Sequence, residues 1–179
     1  SIKANLNALY LTGKSFIEVK YEDRSKYQTF ENDKIILIQS PKNNGYASGN
    51  NIGIELALNQ EDMKYVWVLN NDTEVDKEAL THLISKCDSD KNIGICGSRL
   101  VYFTDREMQQ GLGGVHNRWL CTTKNYEMGR LVSKKYDDEV ISNNIDYIIG
   151  ASMFFSRECL ETVGLMNEEY FLYYEELDI

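Results

Sequence analysis

Short apolar runs alternate with helical patterns through much of the chain, and this alternation predicts the fold. Residues 35–38 and 65–69 are continuous apolar runs, which are typical of strands buried on both faces. Between them, residues 48–58 repeat apolar side chains at helical spacing. Because strand, helix and strand follow one another in this order, the segment predicts a parallel α/β unit.

The flanking segments extend this pattern. A helix is predicted at residues 4–11, a strand at 16–19, a helix after Asp76 with apolar positions from Leu80 to Cys87, a strand at 93–101, a strand spanning 146–155 and a helix from Ser156 to Gly164. Residues 104–144 are polar and dotted with glycine, so we expect loops and short strands there. With 179 residues and 42% apolar side chains, the chain is predicted to form a single domain, residues 1–179.

Charge and composition narrow the classes of partner. The formal net charge of −9 disfavours nucleic acid as a partner, whereas a small phosphorylated ligand stays compatible if a divalent cation and backbone N–H groups neutralise it. The four cysteines show no CxxC spacing, so reduced structural cysteines are favoured over a zinc site or a disulfide framework. No apolar run approaches a membrane span and no signal peptide opens the chain, so we expect a cytoplasmic protein; peripheral membrane contact stays open.

Three short segments carry candidate chemistry. Residues 43–51, rich in asparagine and glycine, precede a helix, where free N–H groups can face a ligand; a turn with a helix cap is an equally good interpretation. Residues 70–72 follow a buried strand, where a carboxylate can hold Mg²⁺ or Mn²⁺ beside a diphosphate, although an Asx turn alone explains them. Residues 171–178 crowd three carboxylates among aromatic side chains, which suits a general base or, alternatively, a solvated helix face.

Taken in order, the three segments resemble the motifs of family 2 glycosyltransferases, most closely the rhamnosyltransferase-like branch that builds bacterial surface polysaccharides. The first two segments fit the pattern N-x-G-[FY]-A-x-G-N-N followed by a strand that ends in N-x-D-T. A later block fits G-A-x-M at Gly150, then V-G-x-[FM]-[DN]-E at Val163, then F-x-Y-x-E-D-x-D at Phe171. The resemblance implies a truncated glycosyltransferase A-type, Rossmann-like α/β fold with a mostly parallel central sheet flanked by helices.

The resemblance also assigns site residues. The implied nucleotide-sugar-binding residues are Asn44, Gly45, Tyr46, Ala47, Asn50, Asn51, Asn70, Asn71 and Asp72, with Glu22 and Asp23 as a poor match to the family's D-N-x-S segment. Asp72 resembles the metal and diphosphate ligand of the family's DxD motif, in which Asn70 replaces the first aspartate. The implied acceptor-binding residues are Gly150, Ala151, Ser152 and Met153. Glu176 lies where the family has its catalytic aspartate, and Glu175 and Asp178 are neighbouring candidates.

These assignments imply an inverting transfer from a nucleotide-diphospho-sugar, with UDP or dTDP as the nucleotide and Mg²⁺ or Mn²⁺ as cofactor. A saccharide or a lipid-linked saccharide is the expected acceptor. The family has a further strand before residue 4 and continues beyond the last motif, so the chain is expected to be a fragment whose own activity stays open. Two rival interpretations are a non-catalytic nucleotide-sugar-binding domain and a sugar nucleotidyltransferase, although the latter's basic, glycine-rich phosphate loop is absent from the sequence.

Overall fold

The computed structural model describes residues 16–26 and 35–179, and the helix predicted at 4–11 lies outside these described residues. The strands are β1 (Phe16–Lys20), β2 (Ile35–Gln39), β3 (Tyr65–Leu69), β4 (Ile95–Gly97), β5 (Leu100–Val101), β6 (Gln109–Gly111), β7 (Gly114–Asn117), β8 (Thr122–Asn125) and β9 (Ser152–Ser156). The helices are a 3₁₀ helix (Tyr21–Lys26), α1 (Tyr46–Leu58), α2 (Ala79–Ser89), α3 (Asp138–Ser142), α4 (Arg157–Val163) and α5 (Glu175–Asp178). The predicted α/β class is thus confirmed.

The strands form several small sheets. β1 and β2 pair in parallel, β9 lies between β3 and β4 and runs antiparallel to both, and β5–β6 and β7–β8 are antiparallel pairs. The prediction of a mostly parallel central sheet therefore needs correction. Leu69, which ends β3, pairs with Ser152, the first residue of β9. Because the chain re-enters the sheet at the end where β3 stops, β9 has to run in the opposite direction.

β9 supplies the centre of the hydrophobic core. Met153 and Phe155 pack with residues from α1 and α4 in one buried cluster, whereas Phe154 packs with α2 residues in another. Successive side chains of a strand point to opposite faces, so β9 is covered by helices on both faces. The Phe154 ring stacks on Tyr65 at 5.0 Å and meets Trp67 edge-on at 6.2 Å. Burying one such side chain contributes about 1.5–3 kcal/mol.

Local signals predicted some element boundaries and missed others. Ser156 caps α4 by accepting a hydrogen bond from the N–H of Cys159, as predicted. Asp76 does not cap α2: its carboxylate accepts from the N–H of Glu78, which is the N-cap residue itself. The strand predicted at 93–101 is split into β4 and β5.

The predicted strand over 146–155 starts later than expected, at β9. Tyr147 forms an isolated bridge with Gly114 of β7 instead of pairing with β3. Residues 149–151 then turn the chain into β9, and this turn lies next to the end of β3. In the described part of the chain, none of the helices is long and apolar enough to cross a bilayer.

Candidate active site

The loop between β2 and α1 lies against the backbone of the acidic, aromatic segment near the end of the chain. Gly45 has a left-handed φ of 101°, and a Cβ built on it would lie 2.2 Å from the carbonyl oxygen of Phe171. The next N–H, that of Tyr46, donates a hydrogen bond of 3.0 Å to the same oxygen. Only glycine fits this close approach, so it brings the first and third motif segments together.

Tyr46 connects the same loop to the turn before β9. Its hydroxyl donates a hydrogen bond of 2.5 Å to the carbonyl oxygen of Gly150. Burial, reinforced by the negative charge of Glu176, raises the pKa of Tyr46 to about 12, so the hydroxyl stays a donor at neutral pH. This hydrogen bond holds the loop before α1 against the turn before β9, which lies about a hundred residues later in the chain.

The turn after β3 contacts the turn at residues 149–151 that leads into β9. The N–H of Asn70 donates to the carbonyl oxygen of Ala151 at 3.1 Å, and Thr73 closes the turn through its hydroxyl at 2.7 Å from the Asn70 carbonyl oxygen. Asn71 and Asp72 extend beyond it and are exposed. The second motif segment therefore lies directly beside the turn at residues 149–151.

Asp72 is the residue that could hold a divalent cation. Its carboxylate makes no hydrogen bond or ion pair to another described residue, and Asp72 directly follows Asn70 and Asn71 in the chain. No group of three His, Cys, Asp or Glu side chains with metal-binding geometry occurs among residues 16–26 and 35–179. Hard oxygen ligands fit Mg²⁺ or Mn²⁺, but most of the coordination shell would have to come from a diphosphate and water.

The acidic segment begins with a strained backbone. Tyr173 and Tyr174 both have φ of 72°, a left-handed conformation that costs roughly 1–3 kcal/mol for a non-glycine residue. The hydroxyl of Tyr174 donates to the carbonyl oxygen of Cys121 at 3.3 Å and helps hold this conformation. It starts α5, in which Glu175 is only 2% exposed and its Oε2 atom has no hydrogen-bond partner among the described residues.

Glu176 lies beside Gly150 and the Tyr46 hydroxyl. A Cβ built on Gly150 would be 3.7 Å from Oε1 of Glu176 and 3.6 Å from the Tyr46 hydroxyl. The half-buried carboxylate lines a groove of about 280 Å³ together with Thr123, Tyr147 and the two strained tyrosines. Burial, with a smaller contribution from the charge of Glu175, raises the pKa of Glu176 above its usual value. A carboxylate of raised pKa facing a groove suits general-base catalysis.

The raised pKa of Glu176 predicts a pH-dependent stability change. In the folded state, burial favours the protonated carboxyl group of Glu176. Its contribution to the free energy of unfolding is therefore present below the usual pKa of 4.5 and is lost as the pH rises through the folded-state pKa. We therefore expect Glu176→Gln to raise the melting temperature at pH 7, and this gain to shrink below about pH 4.5. Thermal melts at both pH values check this, with the exposed Glu169→Gln as the control. An equal gain at both pH values would contradict it.

Glu22 and Asp23 lie in the 3₁₀ helix after β1. The loop before α1 follows β2, and parallel pairing puts the carboxyl ends of both strands at one edge. The ammonium group of Lys26, 2.5 Å away, lowers the pKa of Asp23. Arg24 pairs with Glu55 of α1 at 3.7 Å, so the 3₁₀ helix adjoins α1. Contact of Glu22 and Asp23 with a nucleotide stays a prediction.

Several predicted binding residues are buried beneath the site rather than exposed in it. Ala47 and Met153 lie in the core, and Ser152 is buried between Trp67, whose indole N–H donates to its hydroxyl, and Ser98. The amide of Asn51 is engaged with the backbone of Met166 and with Glu168. The observed contacts of these residues position the surrounding loops. Their direct contact with a ligand stays a prediction.

The remaining predicted residues lie nearer the surface. Asn44 is exposed, and the amide of Asn50 donates to the carbonyl oxygen of Tyr46 one helical turn earlier. Asp178 is exposed and accepts a hydrogen bond from Asn167 at 3.2 Å. The structure therefore brings together Gly45, Tyr46, Gly150 and Glu176, and sets Asp178 to one side of that group.

Sequence reasoning missed two residues of the groove. Thr123 comes from β8, in the region where periodicity is weak, and Tyr147 belongs to a segment predicted as a strand. Neither residue is part of a recognisable motif. The signal that could have identified Tyr147 is its place just before Gly150, but its pairing with β7 is a long-range feature.

Comparison with known proteins identifies the family of the chain, over a range that ends before the third motif segment, residues 171–178. The family model described as glycosyl transferase family 2 matches residues 21–164. The match covers most of the chain, so the chain belongs to glycosyl transferase family 2, and the family predicted from the motifs is confirmed. The matched range includes the first two motif segments and the turn at Gly150.

A relative supports the same class of reaction. The chain is 29% identical over 151 residues to the low-salt glycan biosynthesis hexosyltransferase Agl10 of Haloferax volcanii, an alignment that covers 84% of this chain and 47% of the relative. The chain thus spans about half the length of the curated relative that it matches. Family and relative together support glycosyl transfer.

Proposed function

We propose that this chain carries the donor site and the general base of an inverting glycosyltransferase. The substrate is a nucleoside-diphosphate sugar, with UDP or dTDP as the nucleotide, and the acceptor is a saccharide or a lipid-linked saccharide. The observation that carries the proposal is the meeting of Tyr46, Gly150 and Glu176, which brings the first and third motif segments together at the turn before β9, beside the groove that Glu176 lines. The hexosyltransferase relative favours a hexose as the sugar.

In the proposed reaction, a carboxylate oxygen of Glu176 removes the proton from an acceptor hydroxyl. The oxygen of the acceptor hydroxyl forms a bond to the anomeric carbon, while the bond from this carbon to the diphosphate oxygen breaks on the opposite face. The electron pair of the broken bond leaves with the nucleoside diphosphate, and the configuration at the anomeric carbon inverts. Proton removal by a positioned base contributes about 10²- to 10⁴-fold to the rate.

The donor lies, in this proposal, between the loop at residues 43–51 and the turn at 70–72. Asp72, with the neighbouring asparagine amides, would hold Mg²⁺ or Mn²⁺. When bound there, the cation stabilises negative charge on the departing diphosphate. The exposed side chains of Asn44 and Asn71 are free to hydrogen-bond to the nucleotide, and buried Ala47 and Asn51 keep α1 in place behind them.

The biological setting is the most specific part of the proposal. By their likeness to the rhamnosyltransferase-like branch, the motifs favour a role in the synthesis of bacterial surface polysaccharide and cell-wall glycans. Acceptors of that kind are often carried on lipids, so we propose a cytoplasmic enzyme that works at the inner face of the cell membrane. The relative's name, which refers to glycan biosynthesis, supports the glycan part of this setting.

Calorimetric titration with UDP and with dTDP, each with and without Mn²⁺, tests the donor site. We expect binding of at least one nucleotide that depends on Mn²⁺ and is lost in Asp72→Ala, because that substitution removes the carboxylate from the turn. Asp62→Ala is the matched control, since this exposed residue precedes the opposite end of β3. Binding that ignores both the metal and Asp72 would refute the assignment, and no binding of either nucleotide would favour a domain without transferase activity.

A further inference from the structure

The groove that contains Glu176 shares one lining residue with a second, larger groove on the β7–β8 hairpin. The second groove has a volume of about 530 Å³, and its lining includes His116, Trp119 and Thr123. Thr123 also lines the first groove beside Glu176. The two grooves therefore adjoin at Thr123.

The hairpin is held against the acidic segment by several contacts. The ring of His116 meets the ring of Tyr174 edge-on at 6.4 Å, and the Tyr174 hydroxyl bonds to the backbone of Cys121 in the hairpin loop. On the other side, the backbone N–H of His116 donates to the carboxylate of Asp146 at 2.8 Å. The second groove therefore has a defined position relative to Glu176.

The hairpin tip presents an aromatic ring to solvent. Trp119 is 96% exposed, and the turn that carries it is closed by Asn117, whose side-chain oxygen accepts from the N–H groups of Trp119 and Leu120. Leu120 is also exposed, at 71%, but does not line the groove. A large indole at the edge of a groove with hydroxyl and amide side chains matches the alternating apolar and polar surfaces of a sugar chain.

The charge of the groove is opposite to that of the whole chain. Arg118 and Lys124 line it, no carboxylate does, and neither cationic side chain makes an ion pair or hydrogen bond within residues 16–26 and 35–179. The chain as a whole has a formal net charge of −9. Two unpaired cations in an otherwise acidic protein favour a ligand that carries negative charge of its own.

We infer that the hairpin groove is an acceptor subsite for an extended saccharide that carries carboxylate or phosphate groups. The reacting hydroxyl lies at Glu176, the chain passes Thr123, and the next units lie against Trp119 with their charges near Arg118 and Lys124. This inference rests on the proposed function, because it uses Glu176 as the base. It adds to it the class of acceptor: an acidic chain of two or more sugar units instead of a single neutral sugar.

Binding to a printed array of saccharides tests the inference. The array holds chains of one to five units in neutral, uronate-containing and phosphorylated forms, and the strongest ligand is then titrated by calorimetry. We expect affinity to rise with chain length and acidic chains to bind better than neutral ones of equal length. Trp119→Ala should weaken binding of the best ligand by roughly tenfold or more, as removal of an aromatic anchor does. Arg118→Gln and Lys124→Gln should weaken binding of acidic chains only.

Leu120→Ala is the matched control, because it truncates the neighbouring exposed side chain outside the groove. It should leave saccharide binding unchanged, and thermal melts should show all four variants folded. Sedimentation with vesicles of phosphatidylglycerol and phosphatidylcholine provides the contrasting arm. Vesicle binding that falls equally in Trp119→Ala and Leu120→Ala, without binding of any saccharide, would identify the tip as a membrane contact and overturn the inference.

Titration with UDP and dTDP in the presence of Mn²⁺ separates this inference from the function on which it rests. Nucleotide binding that is unchanged in Trp119→Ala, together with Trp119-dependent binding of acidic chains, supports both. Nucleotide binding without length-dependent saccharide binding overturns the subsite and leaves the proposed function standing. Saccharide binding by a protein that binds neither nucleotide overturns the acceptor assignment together with the proposed function.

Discussion

Replacement of Glu176 by glutamine is expected to lower kcat for sugar transfer by about 10²- to 10⁴-fold, the usual contribution of a general base. Glutamine preserves the size of the side chain and its place beside Gly150 but cannot accept the proton of the acceptor hydroxyl. The metal-dependent affinity for the nucleotide should stay close to that of the unmodified protein, since Asp72 and the loop before α1 are untouched. Release of nucleoside diphosphate, followed with a coupled assay, measures the change.

The control for this variant is Glu169→Gln, which removes an exposed carboxylate from the preceding loop and should leave kcat unchanged. Asp178→Asn is informative as well, because Asp178 is the exposed candidate that the structure sets apart from the groove. Near-normal turnover in Glu176→Gln, with a large loss in Asp178→Asn, would transfer the role of base to Asp178 and refute the assignment made here.

Gly45→Ala is expected to lower the free energy of unfolding by about 2–4 kcal/mol and to weaken nucleotide binding. The new Cβ would demand a left-handed φ of 101° and would meet the carbonyl oxygen of Phe171 at 2.2 Å. Since the obstacle is backbone, the loop and the acidic segment have to move apart. Urea denaturation measures the loss of stability, and calorimetry measures the loss of affinity.

Gly49→Ala is the control for this prediction. Gly49 lies in α1, where a Cβ would meet nothing within 4 Å, so alanine should be neutral or stabilise the helix by about 0.5–1 kcal/mol. A loss of stability of similar size in both variants would mean that the contact with Phe171 has no special role. In that case the link between the first and third motif segments would not account for the geometry of the site.

The carboxylates of Glu175 and Glu176 in α5 have different environments. Glu175 is buried with one oxygen unpartnered, whereas Glu176 faces the groove, and the charge of Glu175 contributes to the raised pKa of its neighbour. Their difference follows from the left-handed backbone of Tyr173 and Tyr174, which sets the direction in which α5 begins. The strain is thus located where it orients the proposed base.

Local sequence signals predicted the elements that depend on local physics. The apolar run at 65–69 became β3, and the Ser156 cap and the glycine at 164 bound α4 as expected. The direction of β9 was not predictable in this way, because an apolar run does not specify its partner strands. Its place between β3 and β4 depends on contacts between residues more than fifty positions apart.

The site shows the same division between local and long-range information. The motifs identified Tyr46, Gly150 and Glu176 as separate residues, but their contact is a tertiary feature that spacing does not contain. Ser152 and Met153 were predicted at the acceptor site and are buried, because β9 is covered on both faces. The hairpin groove around Thr123 lies in a region of weak periodicity, so its lining residues could not be derived from their spacing in the sequence.

The most direct test of the central claim is to incubate the protein with UDP- and dTDP-hexoses in the presence of Mn²⁺ and acceptor saccharides, following both nucleoside diphosphate release and the anomeric proton signal of the product by NMR. The account predicts release that requires the metal and Glu176, with a product whose anomeric configuration is opposite to that of the donor. A product with retained configuration, or no release from any donor despite nucleotide binding, would contradict it.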